Sequence, residues 1–290
     1  MSFFKKIYRS RIFKAALEIA FSFILAFVLL MSLRMALGVE NPLFVVSSGS
    51  MIPAINIGDI ILVQKATPTQ VNLGDIVVFR DPYARLKAPI VHRIVDIIVD
   101  ENGNYKIATA GDAIGSWDQF SPWDASLLIG KVIMRIPYIG NLYLLLYSDN
   151  RFIVIIFIII IFFLALLFFS DDKDKKDSRK KISWSGKNIA YILVINLLLA
   201  SLLILSLWGR GTNFLGMFEE YRLNAKKYGD ENVSLLIGFM TYRIDCLVHG
   251  SVRQGALTFS WTQFLLLILI LFNIVKVLIP VIRPHLLKDE

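Results

Sequence analysis

The chain has one cysteine and three histidines in 290 residues. The lone Cys246 excludes an intrachain disulfide framework, so any domain outside the cytoplasm must be held by its apolar core alone. The scarcity of histidine speaks against a metal site. Cys246 and His249 have a C-x-x-H spacing, but a structural zinc needs a full tetrahedral set of ligands, which so few histidines cannot complete. Neither metal nor cofactor is expected. Charge is missing too, over long stretches. The run Phe152 to Phe169 carries none in 18 residues, and as a helix it would reach about 27 Å, close to the hydrocarbon thickness of a bilayer.

Apolar residues are what the sequence has in plenty: 56% are hydrophobic, far above soluble-protein usage. Besides 152–169, the runs 15–37, 189–208 and 261–282 are each apolar for about 20 residues, which predicts an integral membrane protein with four transmembrane helices. The first run exceeds the apolar core of a cleaved signal peptide and is interrupted near its end by Arg34, so it reads as an uncleaved anchor. Lys5, Lys6, Arg9, Arg11 and Lys14 precede it, and seven further lysines and arginines lie between Asp171 and Lys187. Basic loops stay in the cytoplasm. Residues 1–14, 170–188 and 283–290 are therefore expected inside, and 38–150 and 209–260 outside, in a multi-pass protein of the cell membrane. The net charge of +8 then follows from topology, because 38–150 holds more acids than bases, and no nucleic-acid partner is implied.

Between residues 57 and 137 the pattern changes to short β-branched runs: DIILVQ, GDIVVFR, PIVHRIVDIIV, YKIATA and LIGKVIMRIP. Gly58-Asp59, Gly74-Asp75, Asn102-Gly103 and Gly111-Asp112 punctuate them, which predicts a mainly antiparallel β domain with a hairpin at Asn102-Gly103. The unequal spacing of the Gly-Asp pairs argues for common turn chemistry rather than a repeat. Residues 209–260 say less. MFEEYRLNAKKYG suits a short amphipathic helix, and Asn232-Val233-Ser234 is a glycosylation sequon on the expected outer face.

Hydrolysis by a serine needs a hydroxyl, a base, a group that orients the base, and donors for an oxyanion. Ser47, Ser48 and Ser50 flank Gly49 in VVSSGSMIPAI. A solvated Ser-Gly-Ser loop is the ordinary alternative, but it has no need of the apolar neighbours. His92 is the only histidine between 38 and 208. It stands in a strand-like run with Ile90 and Ile94 on its face and Arg93 on the other. Asp112 follows a glycine turn, and Asp118 ends GDAIGSWD. Lys65 or Lys87, desolvated, is the competing base.

In order, SSGSMIP, GDIVVF, VHRI and TAGD followed by an aspartate resemble the type I signal peptidase family over about residues 20–150. Histidine where bacterial members carry a lysine is similar to the archaeal and endoplasmic-reticulum branch. The resemblance implies a signal-peptidase-like β domain with Ser50 as nucleophile, His92 as general base, and Asp118 orienting it or stabilising its charge. It also implies that Ser48 assists the oxyanion and that Asp112 is a supporting carboxylate. Ala113-Ile114 stands where that branch usually has two asparagines. The implied activity is removal of signal peptides from secretory preproteins at the outer membrane surface, with preproteins, the bilayer and the protein-translocation machinery as partners. FVV and MIPAI are expected to dip into the lipid interface. A histidine base carries the expectation that activity falls as pH drops through roughly 6 to 7. From a different class, a non-catalytic membrane subunit that binds preproteins or assembles a translocation complex shares the membrane pattern. A self-cleaving repressor peptidase fits poorly, for want of a DNA-binding segment.

Overall fold

The computed structural model describes residues 11–147, 155, 186–208, 214–227, 233–248 and 251–280. Helix α1 (Arg11–Leu37) leads into β1 (Leu43–Val45), β2 (Ile60–Gln64), β3 (Ile76–Phe79), β4 (Ile90–Val99), β5 (Tyr105–Ala110), β6 (Trp123–Asp124) and β7 (Leu128–Ile136). Then follow α2 (Gly140–Tyr147), α3 (Gly186–Trp208), α4 (Phe214–Lys227), β8 (Val233–Gly238), β9 (Thr241–Val248), β10 (Ser251–Arg253), β11 (Thr258–Phe259) and α5 (Trp261–Asn273), which continues as a π-helical turn.

All the strands join one sheet in the order β10-β9-β11-β7-β3-β4-β5-β6, with β1 and β2 attached through β7 and β8 through β9. Pairing is antiparallel except where Thr258 of β11 meets Arg135 of β7. β3 is buried throughout because its two faces feed different cores. Ile76 and Val78 face a cluster with Met51, Ile55, Ile61 and Val63, whereas Val77 and Phe79 face Ile94, Ile107 and Trp123. Phe79 stacks on Trp123 at 4.2 Å between ring centroids.

The runs expected to be strands between 57 and 137 are strands, and the Asn102-Gly103 hairpin is present, its turn held by the Asp100 carboxylate accepting from the amides of Asn102 and Asn104. Two of the Gly-Asp pairs belong to one four-residue device, Asn-x-Gly-Asp. In Asn56–Asp59 and Asn72–Asp75 the aspartate carboxylate accepts from the asparagine amide, and the glycines take φ of +84° and +87°, a conformation that side chains resist. Both aspartates then pair with cations of β7: Asp59 with Arg135 Nε at 2.6 Å and Asp75 with Lys131 Nζ at 2.7 Å.

Residues 233–248 and 251–259 hold more order than their sequence suggested. β8 to β11 extend the sheet beyond β7, and Met217 and Tyr221 of α4 pack with Tyr242, Ile244 and Cys246 of β9 in the first core. β11 has two residues and reaches β7 across more than a hundred residues of sequence, and a strand defined by so distant a partner carries little local signal.

Among the described residues, three helices are long and apolar enough to cross a membrane: Ala20–Leu37, Ile189–Leu207 and Trp261–Leu278. The fourth expected span, 152–169, lies outside the described residues apart from 155. α3 and α5 run in opposite directions and are joined at two levels. The amides of Asn196 and Asn273 bond reciprocally at 2.7 and 3.2 Å, and Ser206 Oγ lies 3.0 Å from Thr262 Oγ1.

Candidate active site

Ser50 stands in a loop that closes on itself. Val46 N–H donates to Asp59 O, Gly58 N–H donates to Val46 O, and Met51, Ala54 and Ile55, each at most 1% exposed, enter the first core. This corrects one expectation. MIPAI does not dip into lipid, because Met51, Pro53, Ala54 and Ile55 are buried in the protein. Full burial of a Met or Ile side chain is worth roughly 1.5–3 kcal/mol, and here it fixes the residue that precedes Met51.

Across the loop lies the turn after β5. Ala113 N–H donates to Ser50 O at 2.9 Å, so the backbone at position 113 ties the serine to the Gly111–Gly115 turn. Gly111 is needed for this approach. A Cβ there would come 2.8 Å from Ser50 O, 3.2 Å from His92 Nε2 and 3.3 Å from Ser50 Cβ.

His92 is buried mid-strand on β4, opposite Val77 of β3. Its Nε2 lies 3.0 Å from Ser50 Oγ and its Nδ1 2.7 Å from Asp118 Oδ2. An ionised carboxylate can only accept, so Nδ1 carries the hydrogen and Nε2 is left to accept from the serine hydroxyl. The side chains of His92 and Asp118 are 10% and 6% exposed, so little water competes for these bonds.

Asp118 is held in turn. Thr109 Oγ1 donates to its Oδ2 at 2.7 Å, Trp123 Nε1 donates to Thr109 Oγ1 at 3.0 Å, and Asp118 N–H donates to Thr109 O at 2.8 Å. Sequence reasoning assigned no role to Thr109 or Trp123. The available signal was a threonine two residues before Gly111 on a strand, whose face is set by alternation.

Asp112 does not touch the imidazole. Its carboxylate receives a two-pronged bond from Arg93, Nε to Oδ1 at 2.7 Å and Nη2 to Oδ2 at 2.6 Å, and Arg253 Nη1 stands 3.5 Å from Oδ1. Arg93 Nη1 also donates to the carbonyls of Gly74 and Gln254. Burial disfavours a charged arginine, yet the carboxylate of Asp112 outweighs it and holds the Arg93 guanidinium above its ordinary value. Ser48 lies exposed two residues before Ser50. Lys65 and Lys87 are exposed and line a cavity of about 670 Å³ with Gly38, Arg80 and Leu128, whose wall includes neither Ser50 nor His92.

Chemically, a hydroxyl–imidazole–carboxylate chain can make a nucleophile by proton transfer and return the proton to a leaving group. Residues 16–100, which include Ser48, Ser50 and His92, match the family described as signal peptidase, peptidase S26. The signal peptidase complex catalytic subunit SEC11C of Homo sapiens is 27% identical over 154 residues, covering 51% of this chain and 79% of that protein. SEC11C of Mus musculus is 30% identical over 121 residues, 40% of this chain and 62% of the relative. The catalytic subunit sec11 of Dictyostelium discoideum is 36% identical over 118 residues, 38% of this chain and 64% of the relative. Through this segment the chain is similar to the signal peptidase family, and the relatives it matches are SEC11 catalytic subunits.

Proposed function

We propose that this chain is a membrane-bound serine endopeptidase that removes signal peptides from exported preproteins at the outer membrane surface. The observation that carries the reading is the hydrogen-bonded series from Ser50 Oγ through His92 to Asp118. Ser50 Oγ attacks the scissile carbonyl as its proton passes to His92 Nε2. Asp118, accepting from Nδ1, stabilises the imidazolium that forms. Collapse of the tetrahedral intermediate transfers the proton to the departing amine and leaves an acyl-enzyme, which water resolves by the same route in reverse. Ser48, the residue before Gly49, supplies a hydroxyl toward the oxyanion, with backbone amides as further donors. Asp112 supports the site at one remove, through Arg93, the neighbour of His92.

In this reading residues 15–37, 152–169, 189–208 and 261–282 cross the cell membrane, with 38–150 as the peptidase domain and 38–150 and 209–260 both outside. Residues 1–14, 170–188 and 283–290 remain in the cytoplasm. The three long apolar helices and the basic residues at 5–14 and 171–187 support it. Secretory preproteins are the substrates, delivered by the translocation machinery.

The test is cleavage of a signal-bearing peptide by the purified chain in detergent. Wild type should yield two fragments and Ser50→Ala none, with both proteins equally folded by circular dichroism. Undiminished cleavage by Ser50→Ala overturns the nucleophile assignment, and binding without fragments from wild type favours a non-catalytic subunit. Loss in His92→Ala with retention in Lys65→Ala and Lys87→Ala separates the histidine base from a lysine one.

A further inference from the structure

The segment Ser234 to Met240, SLLIGFM, contains one polar side chain. On a sheet with one face in water, alternation should make half of it polar. β8 and β9 pair antiparallel down to Gly238 and Thr241, so these residues form the end of a two-stranded hairpin. Leu235 still packs against the core. Beyond it both faces are bare: Leu236 is 54% exposed, Ile237 55% and Phe239, at the tip, 82%. The nearest charge on β9 turns away, since Arg243 pairs with Asp245, farther from the tip, at 3.0 Å.

Two bonds fix where the tip lies. Ser260 N–H donates to Met240 O at 2.9 Å, and Gln263 Nε2 donates to Gly238 O at 3.4 Å. Ser260 caps α5 and Gln263 is in its first turn, so the apolar tip sits beside the first residues of the apolar helix Trp261–Leu278. Trp261 itself donates Nε1–H to Pro137 O at 2.9 Å, at the end of β7. An indole at the start of a span suits the headgroup level of a bilayer.

We propose that the β8–β9 hairpin tip, through Leu236, Ile237 and Phe239, inserts into the outer leaflet beside α5 and docks the β domain on lipid. The proposal rests on the reading of α5 as a membrane span with 209–260 outside. Continuity with that span selects lipid over a protein partner as the occupant. Because β9 connects through β11, β7 and β3 to β4, the tip sets the height of His92 and Ser50 above the bilayer.

The experiment uses full-length protein carrying Cys246→Ala, reconstituted in phosphatidylcholine vesicles. An environment-sensitive fluorophore is attached at Phe239→Cys, Leu266→Cys in α5, or Asn102→Cys on the β4–β5 hairpin. A lipid bearing a nitroxide high on its acyl chain should remove most of the fluorescence at 239 and at 266, and leave that at 102 unchanged. Quenching at 266 with none at 239 overturns the docking and spares the span. That result with blue-shifted emission at 239 assigns the tip to a protein contact, which also overturns it. Absence of quenching at 266 overturns the span reading and the docking together.

Discussion

Gly111 contributes no functional group, yet it controls the space between Ser50 and His92. Alanine there would press a methyl group against both residues, with Ser50 O at 2.8 Å, so the serine loop must retreat and the bond to Nε2 lengthen. Overpacking of this kind costs about 1–3 kcal/mol, and the expected signature for Gly111→Ala is a fall in kcat larger than the change in KM, measured on a signal-bearing peptide. Ser50→Ala should lose activity by a factor on the order of 10⁶. Asp118→Asn keeps the shape but offers an amide where Nδ1–H needs an acceptor, and a loss of roughly 10⁴ is expected from the wrong tautomer. Acidification should lower cleavage, because a protonated imidazole cannot accept from Ser50. A pH profile that stays flat to pH 4 would count against His92 as the base.

Legibility in the sequence differed from element to element. β2 to β5 and β7 were visible because each is a β-branched run bounded by turn residues, and a serine, a histidine and an aspartate on three separate elements could be named from ordered motifs. What stayed hidden was pairing at long range. Alternation placed Arg93 on the face opposite His92 without saying what covers it; it is 2% exposed, because the turn bearing Asp112 and the strands around Arg253 close over that face. Nothing local in GSVRQGAL announces Arg253 as a partner of Asp112. The apolar flanks of Ser50 were read as a membrane contact when they are core, since hydrophobicity alone does not say which apolar medium receives it. The Asp112 cluster has a consequence at this scale. Cys246 lies near it, and burial pushes its thiol up from 9.0 to about 11. The thiolate is the reactive form, so Cys246 should resist alkylation at pH 8 in the folded protein and react once unfolded. Its proton also couples to stability. The native state keeps it where the unfolded chain has lost it, so this contribution is whole below pH 9 and fades as pH climbs toward 11. Arg253→Ala should loosen β9 and β10 and raise the alkylation rate at pH 8, with a lower kcat. Arg253→Lys should restore much of both. An unchanged rate in Arg253→Ala would show that the ion pair does not hold these strands.

At the scale of the whole molecule, the peptidase fold and the apolar helices are joined rather than merely tethered. The chain leaves β11 at Phe259 and enters α5 at Trp261, so whatever holds α5 bears on the sheet. α3 is its partner, through the Asn196–Asn273 pair and the Ser206–Thr262 contact. In lipid the apolar effect gives helices little reason to associate, and interhelical hydrogen bonds average about 0.6 kcal/mol, rarely above 1.7. Each asparagine also donates to a carbonyl one turn earlier, Ile192 for Asn196 and Leu269 for Asn273, so breaking the pair leaves neither amide wholly unsatisfied. Leucine at either position should therefore destabilise by only about 1 kcal/mol, and the double variant should cost less than the two singles summed. A double-mutant cycle on thermal unfolding in bilayer-like micelles measures that coupling. Both positions lie away from Ser260 and Trp261, which fasten α5 to the sheet, so kcat at room temperature should be unaffected. A drop in kcat matching the loss of stability would mean that α3 and α5 act on the site and do more than hold it in place.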